Sequence, residues 1–125
     1  MEEPWRPAPG KRSRTAGLRG GASELAPFPH RAAIERAFEQ AVPDRARLGA
    51  ADDCAAVGAE AFAVGDQVAF ASREPAFHTA AHEAAHALQE RIGAGGATDL
   101  EAHAERAAAL VVQGRSAAHL FGGGP

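Results

Sequence analysis

The sequence predicts a small α+β domain that is mostly helical and contains one β-hairpin. Several segments place apolar residues at helical spacing, while the segment around Gly65 and Asp66 alternates with a period of two. Alanine dominates the apolar content, so the packing must depend on helices that approach one another closely. A chain of 125 residues has room for one such domain.

Residues 1–28 are predicted to be a disordered leader. Proline, glycine and arginine are frequent there and aliphatic residues are few, so this segment cannot bury enough apolar surface to offset its ordering entropy. We therefore expect the domain to span residues 29–121, followed by a flexible tail at 122–125. The basic residues of the leader are dispersed and lack interleaved aromatics, so no nucleic acid partner is expected.

The cysteine count and the lack of long apolar runs indicate the cellular compartment of the protein. Cys54 is the one cysteine, which excludes an internal disulfide and predicts a small buried thiol. No run of 18 apolar residues occurs, so we expect no membrane span. The N-terminus lacks the apolar stretch of a Sec signal peptide, which predicts a cytoplasmic location on synthesis.

The first half of the domain is predicted to contain two helices. Residues 30–42 have an apolar face at helical spacing, and Pro43 ends the helix. A loop then leads to a short helix at residues 51–57, for which Asp52 or Asp53 is the expected N-cap.

The hairpin comes next. Residues 61–64 and 67–71 each present one apolar face, and the Gly65-Asp66 dipeptide between them suits a two-residue turn. The strand at 67–72 could also present its edge to an extended peptide.

Two long helices complete the chain. The first covers residues 77–92 and ends at a glycine-rich loop, and the second covers residues 98–113. The loop is expected to return the second helix against the first. Ser116 is the expected cap of a final turn at 116–121.

The first long helix carries the HExxH pattern, as His82-Glu83-Ala-Ala-His86. Two histidines four residues apart lie on one face of a helix, which suits two ligand positions of a tetrahedral Zn²⁺ ion. Glu83 is then placed to act as the general base. The alternative is a solvated alanine-rich helix with two exposed histidines.

The third ligand must come from elsewhere. A His-x-x-Gly-x-x-His continuation would need glycine and histidine where the chain has Gln89 and Ile92. On the next helix, Glu101 and Glu105 are one turn apart and face one side. We assign Glu101 as the metal ligand and Glu105 as a hydrogen-bond partner of a ligand imidazole. The alternative for Glu101 is a capping box with Thr98.

The other histidines are expected to lie outside the site. His103 falls on the opposite face of its helix, which predicts exposure, and His78 is expected to cap the helix or lie at the surface. His30 and His119 are not assigned as ligands. Because the chain has no tyrosine, an oxyanion would be stabilised by His103, His119, an arginine or the metal, a contribution worth ~3 kcal/mol in other enzymes.

Three blocks carry a family resemblance: GAEAFAVGDQVAF at residues 58–70, AAHEAAHALQ at 80–89 and LEAHAE at 100–105. In this order they resemble the core domain of extracellular contractile injection systems, a bacterial zincin-like family, over residues 29–121. The chain departs from that family in lacking a counterpart of its Val-Arg-x-His stretch and in having Glu105 where the family has aspartate.

The resemblance implies a zincin-like fold, a glutamate third ligand matching Glu101, and association with phage-tail-like particles that deliver toxins. The expected function is therefore a zinc-dependent metallopeptidase. Its expected partners are a peptide or protein substrate, such as a companion effector, and components of an injection particle, through which the protein itself could be exported. The alternatives are a catalytically inactive adaptor that docks cargo to the particle, and a metal-free helical domain.

Overall fold

A computed structural model describes residues 23–94 and 96–121. Most of the predicted leader and the predicted tail at 122–125 lie outside these residues. The elements in chain order are β1 (Glu24–Pro27), α1 (Arg31–Phe38), β2 (Arg45–Leu48), α2 (Ala51–Ala56), β3 (Ala61–Val64), β4 (Gln67–Phe70), α3 (Phe77–Ile92), α4 (Leu100–Val112) and a terminal 3₁₀ turn (Ala118–Phe121). The predicted α+β class is confirmed.

The four strands form one mixed sheet in the order β1-β2-β4-β3. The predicted hairpin is confirmed, because β3 and β4 pair antiparallel, with Ala61 opposite Phe70 and Val64 opposite Gln67. Gly65 in the connecting turn has a φ of 61°, which a glycine adopts without strain. The other contacts are antiparallel between β1 and β2, and parallel between β2 and β4.

Two of these strands were not predicted. Strand β1 covers residues 24–27, inside the segment predicted to be a disordered leader, so regular structure begins before residue 29. Strand β2 lies in a predicted loop. In β2 Ala46 is buried while its neighbours on either side are arginines, so four residues carry too short an apolar alternation to be recognised. Pairing with a distant segment stabilises both strands.

The place of β4 also corrects the sequence analysis. Strand β4 lies between β2 and β3, so both of its edges are paired and it cannot take up a peptide by strand addition. Among the described strands, β3 is the edge strand on that side of the sheet. The hairpin pattern fixes which strands pair with each other, but it does not show which of them gains a second neighbour.

Helix α1 is shorter than predicted. It ends at Phe38 because Glu39 takes a left-handed conformation with a φ of 57°, so the chain turns before the apolar positions at 41–42. The Val42 N–H then donates to the Glu35 carboxylate at 2.9 Å. Val42 is still buried, which explains why the apolar pattern continued past the end of the helix.

The caps of α2 and α4 differ from the predicted ones. Helix α2 begins after Ala50 without a side-chain cap, and Asp52 and Asp53 lie inside its first turn, where negative charge is favourable. Helix α4 is capped by Asp99, whose carboxylate accepts from Ala102 N–H at 3.0 Å. The prediction for the terminal turn holds, since Ser116 Oγ accepts from the second following N–H at 3.3 Å.

The core lies between the sheet and the helices. Its largest fully buried side chains are Ile34, Phe38, Phe70, Leu88 and, in a second small cluster behind β4, Cys54. Helix α3 follows its predicted bounds and packs against β3, β4 and α4. The faces that α3 and α4 bury are built mainly from alanine: Ala80, Ala81, Ala84, Ala85 and Ala87 on α3, with Ala104, Ala107 and Ala108 on α4. Small side chains let two helices approach closely.

Across residues 23–94 and 96–121, no helix combines the length and the apolarity that crossing a bilayer requires.

The buried thiol gives a test of the packing behind β4. Burial raises the pKa of Cys54 to about 12, and the charges of Asp53, Glu83 and Glu60 add to the effect. Since the thiolate is the reactive form, we expect Ellman's reagent at pH 8 to label the folded protein far more slowly than the same protein in concentrated guanidinium chloride. Equal labelling rates in the two solutions would show that Cys54 is not packed as described.

Candidate metal centre

Three side chains from α3 and α4 converge on one point. His82 and His86 lie one turn apart on α3, and Glu101 faces them from the first turn of α4. Glu101 Oε1 lies 3.1 Å from His82 Nε2, and Glu101 Oε2 lies 3.0 Å from His86 Nε2. One ligand atom from each residue lies within 4.8 Å of the other two, so this group could hold a metal ion.

Glu101 reaches the histidines because it is not needed as a cap. Asp99 caps α4, and the Glu101 carboxylate points toward α3 instead of back to Thr98. The capping-box alternative is therefore wrong. The Glu101 side chain is largely exposed, which leaves one side of the group open to solvent.

The ring nitrogens show why a cation fits between these groups. His82 Nδ1 lies 3.1 Å from Glu105 Oε1, and His86 Nδ1 lies 2.8 Å from Gln89 Oε1. Both nitrogens of both rings thus face oxygen atoms, but a neutral imidazole has only one N–H. When each Nδ1–H donates, each Nε2 points a lone pair at the Glu101 carboxylate. That arrangement is stable only with positive charge at Nε2, either a proton on each ring or a shared metal ion.

Glu105 contacts two histidines at once. Its second oxygen lies 2.8 Å from His78 Nε2, so the carboxylate links His78 to His82. Desolvation is the largest single effect and opposes ionisation, but the hydrogen bonds and charges of His78 and His82 together outweigh it and lower the pKa of Glu105. His78 lies at the surface, which was one of its two predicted roles. It does not cap the helix, because Ala76 occupies the N-cap position.

Glu83 has the opposite environment. Its side chain is only 8% exposed, and burial raises its pKa, an effect that His86 and His82 oppose and Glu101 reinforces. Within the part of the chain that the structure describes, its carboxylate makes no hydrogen bond or ion pair. A buried carboxylate with a raised pKa and no fixed partner is well suited to accept a proton from a ligand in the adjacent cleft.

The cleft beside these residues has a volume of about 620 Å³. One wall is strand β3 with its turn, and the other is α3 with the start of α4. The lining residues are Val57, Ala59, Ala61, Phe62, Ala63, Val64, Gly65, Glu83, His86, Gln89, Glu90, Leu100 and Glu101. The cleft therefore has a largely apolar lining and also contacts the acidic and imidazole side chains of the candidate site.

His103 is buried, and the prediction that it is exposed was wrong. Its ring is 2% exposed, lies 2.8 Å from the Gln89 amide nitrogen through Nδ1, and lies 2.7 Å from the Leu120 carbonyl through Nε2. His103 contacts Gln89 of α3 and the terminal turn instead of solvent, which its position on the helix does not reveal. This placement also excludes His103 as an oxyanion stabiliser.

Gln89 is a site residue that the sequence analysis did not recognise. Its position three residues after His86 places it on the same helix face, which was the available signal. The two histidines left without a role lie elsewhere: His30 Nε2 is 3.3 Å from the Pro75 carbonyl, and His119 is exposed on the terminal turn.

Comparison with known protein families gives a match over the first part of the described residues. Residues 26–94, more than half of the chain, match the family described as the eCIS core domain. The matched range contains the hairpin and the HExxH helix α3 and ends before Glu101. No curated protein and no solved structure matches the chain.

The assignment of the third ligand can be tested by comparing Glu101→Ala with Glu105→Ala in Zn²⁺ titrations against a chelating dye. We expect Glu101→Ala to lose stoichiometric binding, because it removes a ligand atom. Glu105→Ala should bind about 10- to 100-fold more weakly, because it removes only the partner of His82 Nδ1. If Glu105→Ala empties the site while Glu101→Ala retains Zn²⁺, the two roles are reversed.

Proposed function

Because the chain belongs to the eCIS core domain family, we propose that it is a zinc-dependent metallopeptidase domain associated with extracellular contractile injection systems. The observation that carries the proposal is the convergence of His82, His86 and Glu101 beside the buried carboxylate of Glu83. Family membership supports the link to injection particles, and the geometry of the site supports the chemistry.

The donor set favours zinc. Two imidazoles and one carboxylate, with a fourth position left open, form the ligand set of catalytic zinc in several peptidases. When bound, zinc supplies Lewis acidity toward water and toward the carbonyl of a substrate. Glu105 contacts His82 Nδ1 and so favours coordination of the metal through His82 Nε2.

Glu83 is the proposed general base. It precedes His86 by three residues on α3 and borders the same cleft as Glu101. Burial raises its pKa in the metal-free protein, and no hydrogen bond within the described residues occupies its oxygens, so they can take a proton from water. The same carboxyl group can then pass that proton to the leaving amine.

The substrate would bind along β3. This strand is at an edge of the described sheet and forms one wall of the cleft, so an extended peptide can add to it as a further strand. The exposed apolar side chains of Val57 and Leu100 border the same cleft and favour an apolar residue in the bound peptide. A companion effector or an injection-particle component is the expected source of that segment.

A second candidate function is a non-catalytic adaptor that docks cargo to an injection particle. It is favoured by the lining of the cleft, which contains no lysine or arginine among the described residues, and by the complete lack of tyrosine in the chain. An enzyme built on this cleft would depend on the metal alone to stabilise a developing oxyanion. An adaptor would need no such group.

The general base is tested by Glu83→Gln, assayed on an unfolded generic substrate such as casein and on mixed fluorogenic peptides. We expect cleavage to fall by about 10²- to 10⁴-fold, because a positioned base contributes that much, while Zn²⁺ still binds at one ion per chain. The matched control is Glu90→Gln, which neutralises another glutamate of the same cleft and should leave cleavage near the wild-type rate.

Unchanged cleavage by Glu83→Gln would refute the peptidase mechanism. Wild-type protein that binds Zn²⁺ and injection-particle components but cleaves none of these substrates would favour the adaptor.

A further inference from the structure

A chain of hydrogen bonds runs from His86, in the candidate metal site, to the terminal turn. His86 Nδ1 lies 2.8 Å from Gln89 Oε1, Gln89 Nε2 lies 2.8 Å from His103 Nδ1, and His103 Nε2 lies 2.7 Å from the Leu120 carbonyl oxygen. These contacts join α3, α4 and the terminal turn.

The direction of each bond follows from its far end. The Leu120 carbonyl can only accept, so His103 carries its proton on Nε2 and, as a neutral ring, leaves Nδ1 as an acceptor. Gln89 must then present its amide nitrogen to His103, and its oxygen faces His86. The Leu100 carbonyl gives an independent check, because it also can only accept and lies 2.9 Å from the same Gln89 nitrogen.

The orientation of Gln89 determines which nitrogen of His86 carries the proton. An oxygen of Gln89 opposite His86 Nδ1 requires that nitrogen to carry the proton, which leaves Nε2 with its lone pair directed toward the point shared with Glu101. We propose that Gln89 and His103 are positioning residues that hold His86 in the tautomer whose Nε2 binds the metal. This inference rests on the metal site of the proposed function.

The same contacts also have a purely structural explanation, which an experiment must distinguish from the positioning role. His103 also packs edge-to-face on Phe121 with ring centroids 5.0 Å apart, so the ring could serve only to attach the terminal turn to α4. A buried polar side chain costs stability unless its hydrogen bonds are complete, and here both ring nitrogens have partners. The two explanations differ in what removal of the polar atoms does to the affinity for metal.

Four variants of the full chain distinguish them, with Zn²⁺ affinity measured by dye competition and the free energy of unfolding measured in guanidinium chloride. Gln89→Leu removes the acceptor of His86, and His103→Leu removes the group that orients Gln89. His103→Asn is the conservative variant, because its side-chain oxygen can take the place of Nδ1 while the contact with Leu120 is lost. His119→Leu, at an exposed histidine of the same turn, is the control.

We expect Gln89→Leu and His103→Leu to bind Zn²⁺ at least about tenfold more weakly than wild type, the lower limit for loss of a group that orients a ligand. His103→Asn should bind Zn²⁺ nearly as tightly as wild type although it is less stable, and His119→Leu should match wild type. In metal-free wild type, long-range ¹H–¹⁵N spectra of the imidazole rings should show His103 protonated on Nε2.

The proposal is overturned if His103 is protonated on Nδ1, if both leucine variants bind Zn²⁺ as tightly as wild type, or if affinity follows stability across all four variants. Wild-type protein that binds no Zn²⁺ would instead refute the proposed function, and the metal-directed role would fall with it. If wild type binds Zn²⁺ normally and Gln89→Leu binds it just as tightly, the positioning role is refuted while the proposed function stands.

Discussion

The close packing of α3 on α4 is the constraint on which the candidate site depends. Both helices bury faces made mainly of alanine, and this lets their backbones approach closely enough for a glutamate on one to reach two histidines on the other. Bulkier side chains at these positions would separate the axes and move Glu101 away from His82 and His86. The prevalence of alanine on these two helices is therefore what allows the candidate site to form.

Three carboxylates near this interface have different environments and correspondingly different uses. Glu101 is shared between two imidazoles, Glu105 has a lowered pKa because two histidines contact it, and Glu83 has a raised pKa because it is buried. Neighbouring carboxyl groups whose environments shift their pKa values in opposite directions are typical of sites in which each group has a different acid–base role. Here one group would hold the metal, one would orient a ligand, and one would transfer a proton.

The features that sequence predicted are those fixed by local pattern. The hairpin around Gly65 and the bounds of α3 follow from periodicity and from glycine at the element ends, and HExxH places His82 and His86 on one face. The pairing of Glu101 with them followed from the i, i+4 carboxylates of the next helix and from the short connection between α3 and α4.

The features that sequence missed depend on distant contacts. Strands β1 and β2 have little apolar pattern of their own and are held by each other and by β4, while the position of β4 inside the sheet cannot be read from its hairpin. The helical position of His103 predicted exposure, but its ring is buried against Gln89 and the terminal turn. Each of these outcomes is decided by which segment packs on which, and that information is absent from any short window.

X-ray absorption at the zinc edge of the loaded protein can show whether α3 and α4 jointly hold one metal ion. We expect a four-coordinate ion with two imidazole nitrogens at about 2.0–2.1 Å and oxygen atoms in the remaining positions. A spectrum with sulfur as a ligand, or with fewer than two imidazoles, would contradict it.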